Sequence, residues 1–146
     1  MLTQDLDPRS PERGQYVFMQ ALIREVAYST LTKSDRKARH LAAARLFEQL
    51  GTDELAGALA GHYLSAHANV PAGAEADALA AQARLALKAA AGRAVTLGAH
   101  DQAVAYLEQA LTVADDDAEH AEILERAATS AIARSEERRV GKECRL

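Results

Sequence analysis

Cysteine is nearly missing from this 146-residue chain, whose one thiol is Cys144, close to the carboxyl end. A disulfide needs two cysteines and a structural zinc site several, so the fold must stand on burial and hydrogen bonding alone. Tryptophan is absent and aromatic residues make up only 4% of the chain. Sheet sandwiches draw on β-branched and aromatic side chains, whereas the 49% hydrophobic fraction here is largely alanine. That composition favours closely packed helices. No apolar run approaches the roughly 18 to 20 residues of a membrane helix, and the amino end MLTQDLDPRSPERG lacks the charged-then-apolar form of a signal peptide. No membrane association and a cytoplasmic location are therefore expected. The formal charge is -4, and residues 1 to 133 alone carry twelve basic against eighteen acidic side chains, a net of -6. An acidic chain disfavours a nucleic-acid surface.

What the chain does have is a helical pattern of small residues from Leu87 to Ala114, LKAAAGRAVTLGAHDQAVAYLEQALTVA. Leu87, Ala90, Ala91 and Ala94 share one helical face, Gly98 turns the chain, and Ala103, Leu107 and Ala110 mark the helix that returns. This spacing resembles a tetratricopeptide-repeat (TPR) hairpin, in which two antiparallel helices touch through Ala or Gly. A second copy begins 37 residues later, where Leu124, Ala127, Ala128, Ala131 and Ile132 repeat Leu87, Ala90, Ala91, Ala94 and Val95. The fold class expected is all-α: TPR-like helical hairpins, an α-solenoid fragment, after a winged-helix remnant.

Along the chain, residues 1–14 hold Pro8, Pro11 and Gly14 and read as an irregular leading segment. Residues 15–50 are assigned to the winged-helix remnant and its junction helices. Gln15 to Phe18 suits one short strand, and Leu22, Ile23, Val26, Ala27 and Thr30 mark a helix to about Leu31. Ser34 is a candidate N-cap for a second helix with Arg36, His40, Ala43, Phe47 and Leu50 inside, ending at Gly51. Residues 51–133 are assigned to the repeats. Thr52 is placed to cap a helix over 53–68, with Gly57, Ala60 and Gly61 allowing close approach, and Pro71 breaks the chain after it. A long helix over 74–97, a fifth ending by Ala114 and a sixth over 119–133 complete the array.

The block FMQALIREVAYSTLTKSDRKARHLAAARLFEQL resembles the junction between winged-helix and helical-repeat regions in bacterial signal-transduction ATPases, some fused to class III adenylate or guanylate cyclase domains. That junction has a strand ending Phe-x-His, a helix carrying Glu-Val-Ala-Tyr and a Leu, then Arg-x3-His leading an Ala-bearing helix. Phe18, Glu25, Val26, Ala27, Tyr28, Leu31, Arg36, His40 and Ala44 stand at those positions, and the chain departs at Gln20, where the family has His. The resemblance spans residues 15 to 133 and covers only the non-catalytic part of such proteins. From Arg134 the chain reads RSEERRVGKECR, which resembles the conceptual translation of a high-throughput sequencing adapter. Residues 134–146 are therefore expected to be a non-native, disordered tail, the alternative being a genuine charged terminus.

No catalytic, cofactor-binding or metal-binding residues are expected, and no cofactor. Gly92-x5-Gly98 lacks the Lys-Ser/Thr of a phosphate loop. His62 and His67 lie about 140° apart on a helix and do not make a metal pair. His100 and His120 are expected to face solvent. Lys33, Arg36, Lys37, Arg39 and Arg45 form the one basic patch, open to three readings: a solvated face, a docking surface for a nucleotide domain, or a phosphate contact. Arg36 and His40 are expected to build a hydrogen-bonded junction, with Glu25 offering the carboxylate. The acidic cluster Asp115, Asp116, Asp117, Glu119, Glu122 and Glu125 lacks the spacing of an EF-hand loop and reads as a solvated loop with negative charge at a helix start. Tyr63 and Tyr106 read as packing residues or groove liners. The expected function is a non-enzymatic interaction and regulatory scaffold whose partner is another protein or an upstream nucleotide-binding domain. Two alternatives remain: part of a cyclase fusion protein, or a fragment of a DNA-binding regulator.

Overall fold

The computed structural model describes residues 2–4, 16–18, 21–51 and 53–143, and over these the protein is all-α apart from one small strand pair. Strands β1 (Leu2–Gln4) and β2 (Tyr16–Phe18) pair antiparallel, with Leu2 opposite Phe18 and Gln4 opposite Tyr16. β2 lies where the sequence places a strand, but β1 falls in the segment assigned as irregular. Three residues carry no readable alternation, and β1 exists only through its distant partner.

Helix α1 spans Ala21–Ser29 and α2 spans Lys33–Leu50. The cap of α2 is Thr32, not Ser34: Thr32 Oγ1 accepts from the Asp35 N–H at 3.1 Å and donates to the Asp35 carboxylate at 2.7 Å. The Thr32 hydroxyl thus gives one free first-turn amide its acceptor and is itself fixed by the Asp35 carboxylate, which Ser34, already inside the helix, does not do. Thr32→Ala should therefore cost about 1 kcal/mol and Ser34→Ala much less, as compared by urea denaturation. Equal losses would move the cap. The helix ends where expected, at Gly51, whose φ of 61° lets its amide return to the Phe47 carbonyl.

After a 3-10 turn over Asp53–Leu55, α3 runs Ala56–His67, α4 Ala74–Thr96, α5 His100–Leu111 and α6 Asp117–Glu143. Thr52 lies outside the described residues. Gly57 sits against Tyr106 of α5, so closely that an added Cβ would strike the Tyr106 hydroxyl and ring. Gly61 is exposed and a Cβ there would meet nothing, so it plays no part in the close approach expected of it. The turn at Gly98 (φ 71°) is a complete Schellman motif: the Gly98 N–H returns to Val95 O at 3.0 Å and the Ala99 N–H to Ala94 O at 2.8 Å.

The packing follows chain order, with α2 against α3, α3 against α4, α4 against α5, and α5 against α6. Because α4 is flanked on two sides, it buries Leu79, Ala80, Ala83, Ala86, Leu87, Ala90, Ala91 and Ala94. Ala103, Leu107 and Ala110 of α5 meet that surface and are buried, and Leu87, Leu107 and Ile123 are the largest fully enclosed side chains. Alanine at the facing positions brings the backbones close, and the few large residues fill what remains.

Helix α6 differs from expectation in two ways. It continues ten residues past Ala133 to Glu143, so the stretch expected to be disordered is helical there. Its Ser-Glu-Glu-Arg-Arg run is rich in helix formers, no proline stops it, and Arg134 reaches Asp101 of α5 at 3.0 Å. The repeat register also shifts: Ile123 and Ser130 are buried against α5, whereas Leu124 and Ile132 are 54% and 61% exposed. Leu87 is buried on a helix flanked by two others, while its counterpart Leu124 lies on the exposed side of α6, whose main packing among the described residues is against α5.

Candidate functional site

Among the described residues, polar side chains from different helices gather most densely at two places. The first lies between α4 and α6. Arg84 Nε is 2.9 Å from Glu119, and its Nη1 donates to the Val113 carbonyl at 2.6 Å. Lys88 Nζ bridges Glu119 and Glu122 at 3.1 Å each, and Arg126 donates back to the Lys88 carbonyl at 3.3 Å. Three carboxylates of the acidic cluster, Glu119, Glu122 and, at 4.0 Å from Arg84, Asp115, are thus ion-paired and not simply solvated. Asp116 and Glu125 are exposed as expected, with Asp116 accepting from the Glu119 N–H at 2.7 Å near the start of the helix.

Burial alone would raise the Glu119 carboxyl, but hydrogen bonds from Lys88 and the Asp115 N–H, with the Arg84 charge, hold it below its usual range. Burial likewise pulls the Lys88 ammonium down, and its bonds to Glu122 and Glu119 more than reverse this. Above the ordinary Glu value of 4.5 the lowered carboxyl contributes stability, which is lost as pH falls through the folded-state value. The lysine's contribution is present below its ordinary 10.5 and lost as pH rises through the raised value. Lys88→Ala should therefore cost about 1 kcal/mol at neutral pH, a deficit that shrinks in acid and in high salt. Melting curves across pH check this, and a variant indistinguishable from wild type at pH 7 would make the bridge decorative.

Beyond this ionic clip the two helices part. They leave a groove of about 470 Å³ walled by Gly92 and Val95 of α4 and by Glu125, Thr129 and Ala133 of α6, with His100 and Leu107 of α5 at its floor. His100 is half-buried in that floor instead of facing solvent, and half-buried His120 lies 3.0 Å from the Asp116 carbonyl. The eight repeat positions form the frame behind the groove: Leu87, Ala90, Ala91, Ala94, Ala103, Leu107 and Ala110 are buried, and Gly98 makes the turn.

The second place is the junction of α1, α2 and α3. Arg36 donates to the Tyr28 carbonyl at 3.1 Å and the Ser29 carbonyl at 2.9 Å, with its guanidinium 4.8 Å above the Tyr28 ring centre. Those carbonyls at the end of α1 take the place of the expected Glu25 carboxylate, and Glu25 is exposed. Tyr28 Oη is 3.0 Å from His40 Nε2, and His40 Nδ1 is 3.0 Å from His62 Nδ1, whose ring packs on Phe47. Burial lowers the affinity of both imidazoles for a proton, and for His40 the neighbouring His62 charge lowers it further. Nearby, the buried Tyr63 donates to Glu48, and burial with that bond pushes its hydroxyl up to about 12.

The basic patch divides between internal and exposed side chains. Arg36 is used internally, Lys37 pairs with Glu75 at 2.8 Å, and Lys33, Arg39 and Arg45 are exposed. Among the described residues no group of three or more His, Cys, Asp or Glu side chains converges as metal ligands, and no helix is long and apolar enough to cross a membrane. The sequence singled out His40 but not its partner His62, which lies 22 residues away on another helix. The available signal was that both occupy inward stripes. No family model matches this chain, and no curated protein or solved structure shows significant similarity to it.

Proposed function

We propose that the chain is an interaction scaffold, a TPR-like helical array whose α4–α6 groove receives a protein partner. What supports this most is the groove itself, held at one end by Arg84, Lys88, Glu119 and Glu122 and left open where Gly92 and Thr129 face it. Helices packed in chain order present such a surface because each covers only its neighbours. The resemblance of residues 15 to 133 extends the reading to a regulatory segment of a bacterial signal-transduction ATPase, with β1, β2 and α1 as the remnant of a winged helix. An upstream nucleotide-binding domain is then the second candidate partner, and no catalytic role is assigned to these residues.

Gly92 offers a clean test, because an added Cβ there meets no heavy atom within 4 Å. Gly92→Arg should fill the groove without entering the core, and replacing a mid-helix glycine favours the helix. A partner captured by wild type and lost with Gly92→Arg, at unchanged melting temperature, supports the reading. Identical capture by both proteins would remove the groove from the function.

A further inference from the structure

The His40–His62 contact has a property that ordinary packing does not require. The two Nδ1 atoms face each other at 3.0 Å, with ring centroids 5.3 Å apart, so one nitrogen must carry a hydrogen and the other a lone pair. One proton added to the pair leaves that bond intact. A second removes the lone pair and turns two like-charged N–H donors toward each other.

Among the described residues the surroundings offer no carboxylate to offset that second charge. From α1 the pair meets the Tyr28 hydroxyl, and above the Tyr28 ring lies the Arg36 cation. On α2 the ring neighbour is Phe47, and Glu48 is engaged by Tyr63 of α3. The face of α4 in the core with Ala60, Tyr63 and Ala66 of α3 is Leu79, Ala80, Ala83 and Leu87, while Glu75 pairs with Lys37. No carboxylate contacts either imidazole among the described residues.

We propose that His40 and His62 form an acid-sensitive latch on the seam between the amino-terminal pair α1–α2 and helix α3. Closed, it ties α1 through Tyr28 to the array. Doubly protonated, it opens and loosens α1 and the first turns of α2. The lowered proton affinity of both rings agrees in sign: the closed seam is favoured above the ordinary His value of 6.5 and is lost as pH falls through the lowered values. α1 suits a released element, since Leu22 and Val26 are already exposed and a nine-residue helix has little stability alone.

Amide hydrogen exchange on the whole chain, corrected for intrinsic rates, tests this between about pH 7.5 and about pH 5. Protection of α1 and early α2 should fall about tenfold or more while α4 and α5 hold theirs. His62→Gln keeps a hydrogen-bonding side chain but cannot supply the second charge, and it should abolish the pH dependence. Equal acid loss in His62→Gln, no loss in wild type, or a parallel loss in α4 and α5 would each overturn the proposal. Proton titration of the wild-type imidazoles by NMR guards against a variant that fails to fold. Uptake of the second proton by the pair should fall below 6.5, and uptake of both protons at or above it would overturn the latch.

Discussion

Ala103→Arg is expected to remove a large share of the protein's stability. Ala103 is fully buried where α5 meets α4, and the surface opposite includes alanines that leave no room for a longer side chain. Arginine there must force the helices apart or bury a guanidinium with no acceptor in reach. Overpacking alone costs about 1 to 3 kcal/mol, and an unpaired buried charge adds to it, so a loss of about 3 kcal/mol or more is expected. Against the roughly 5 to 15 kcal/mol that stabilises an ordinary domain, that is a large share. Ala105→Arg is the control, because Ala105 lies on the exposed side of the same helix. Urea denaturation followed by circular dichroism should separate the two by most of that difference. Equal midpoints would show that α5 is rotated from the orientation described.

Leu107→Ala is expected to be nearly as damaging through the opposite fault, a void. Leu107 is among the largest enclosed side chains and belongs to the cluster that joins Leu87 of α4 to Ile123 of α6. Few large residues fill this core, so no neighbour can swing in, and the loss should reach about 2 to 5 kcal/mol. Leu124→Ala removes the same atoms from an exposed site and should change stability by less than about 0.5 kcal/mol. If thermal melts instead place the Leu124 variant with the Leu107 variant, the outer face of α6 is covered in solution.

These two variants rest on the part of the fold that was legible in the sequence. From Leu87 to Ala110 each small residue sits at a helical interval from the next, and the turn needs a glycine with positive φ, so a local pattern carries the local structure. The same logic failed wherever the partner is remote. Lys88 shares a helix with the buried alanines and reads as a surface residue, because Glu119 and Glu122 lie more than thirty positions away. Helical spacing compares His62 with His67 on its own helix, while its true partner stands across the seam on α2. β1 exists only by pairing with β2. In α6 the pattern located the helix but missed its rotation and its end. Leu124 copies Leu87 in sequence, yet α6 packs mainly on α5 among the described residues and turns Ile123 inward, and Arg134 finds Asp101 where a stop was expected.

The chain-order packing carries a kinetic consequence. Every major helix contact joins neighbours in sequence across short connections, so the loops closed during folding are small and the order of assembly is not forced. Helical proteins of this kind reach the native state on the order of microseconds to milliseconds. Loss of structure can run the other way, inward from either end, with α6 and α1 departing while α4 and α5 stay paired. A population with intact centre and missing ends is then an ordinary state of the molecule at mild denaturant, and probes on α1, α5 and α6 should report different midpoints.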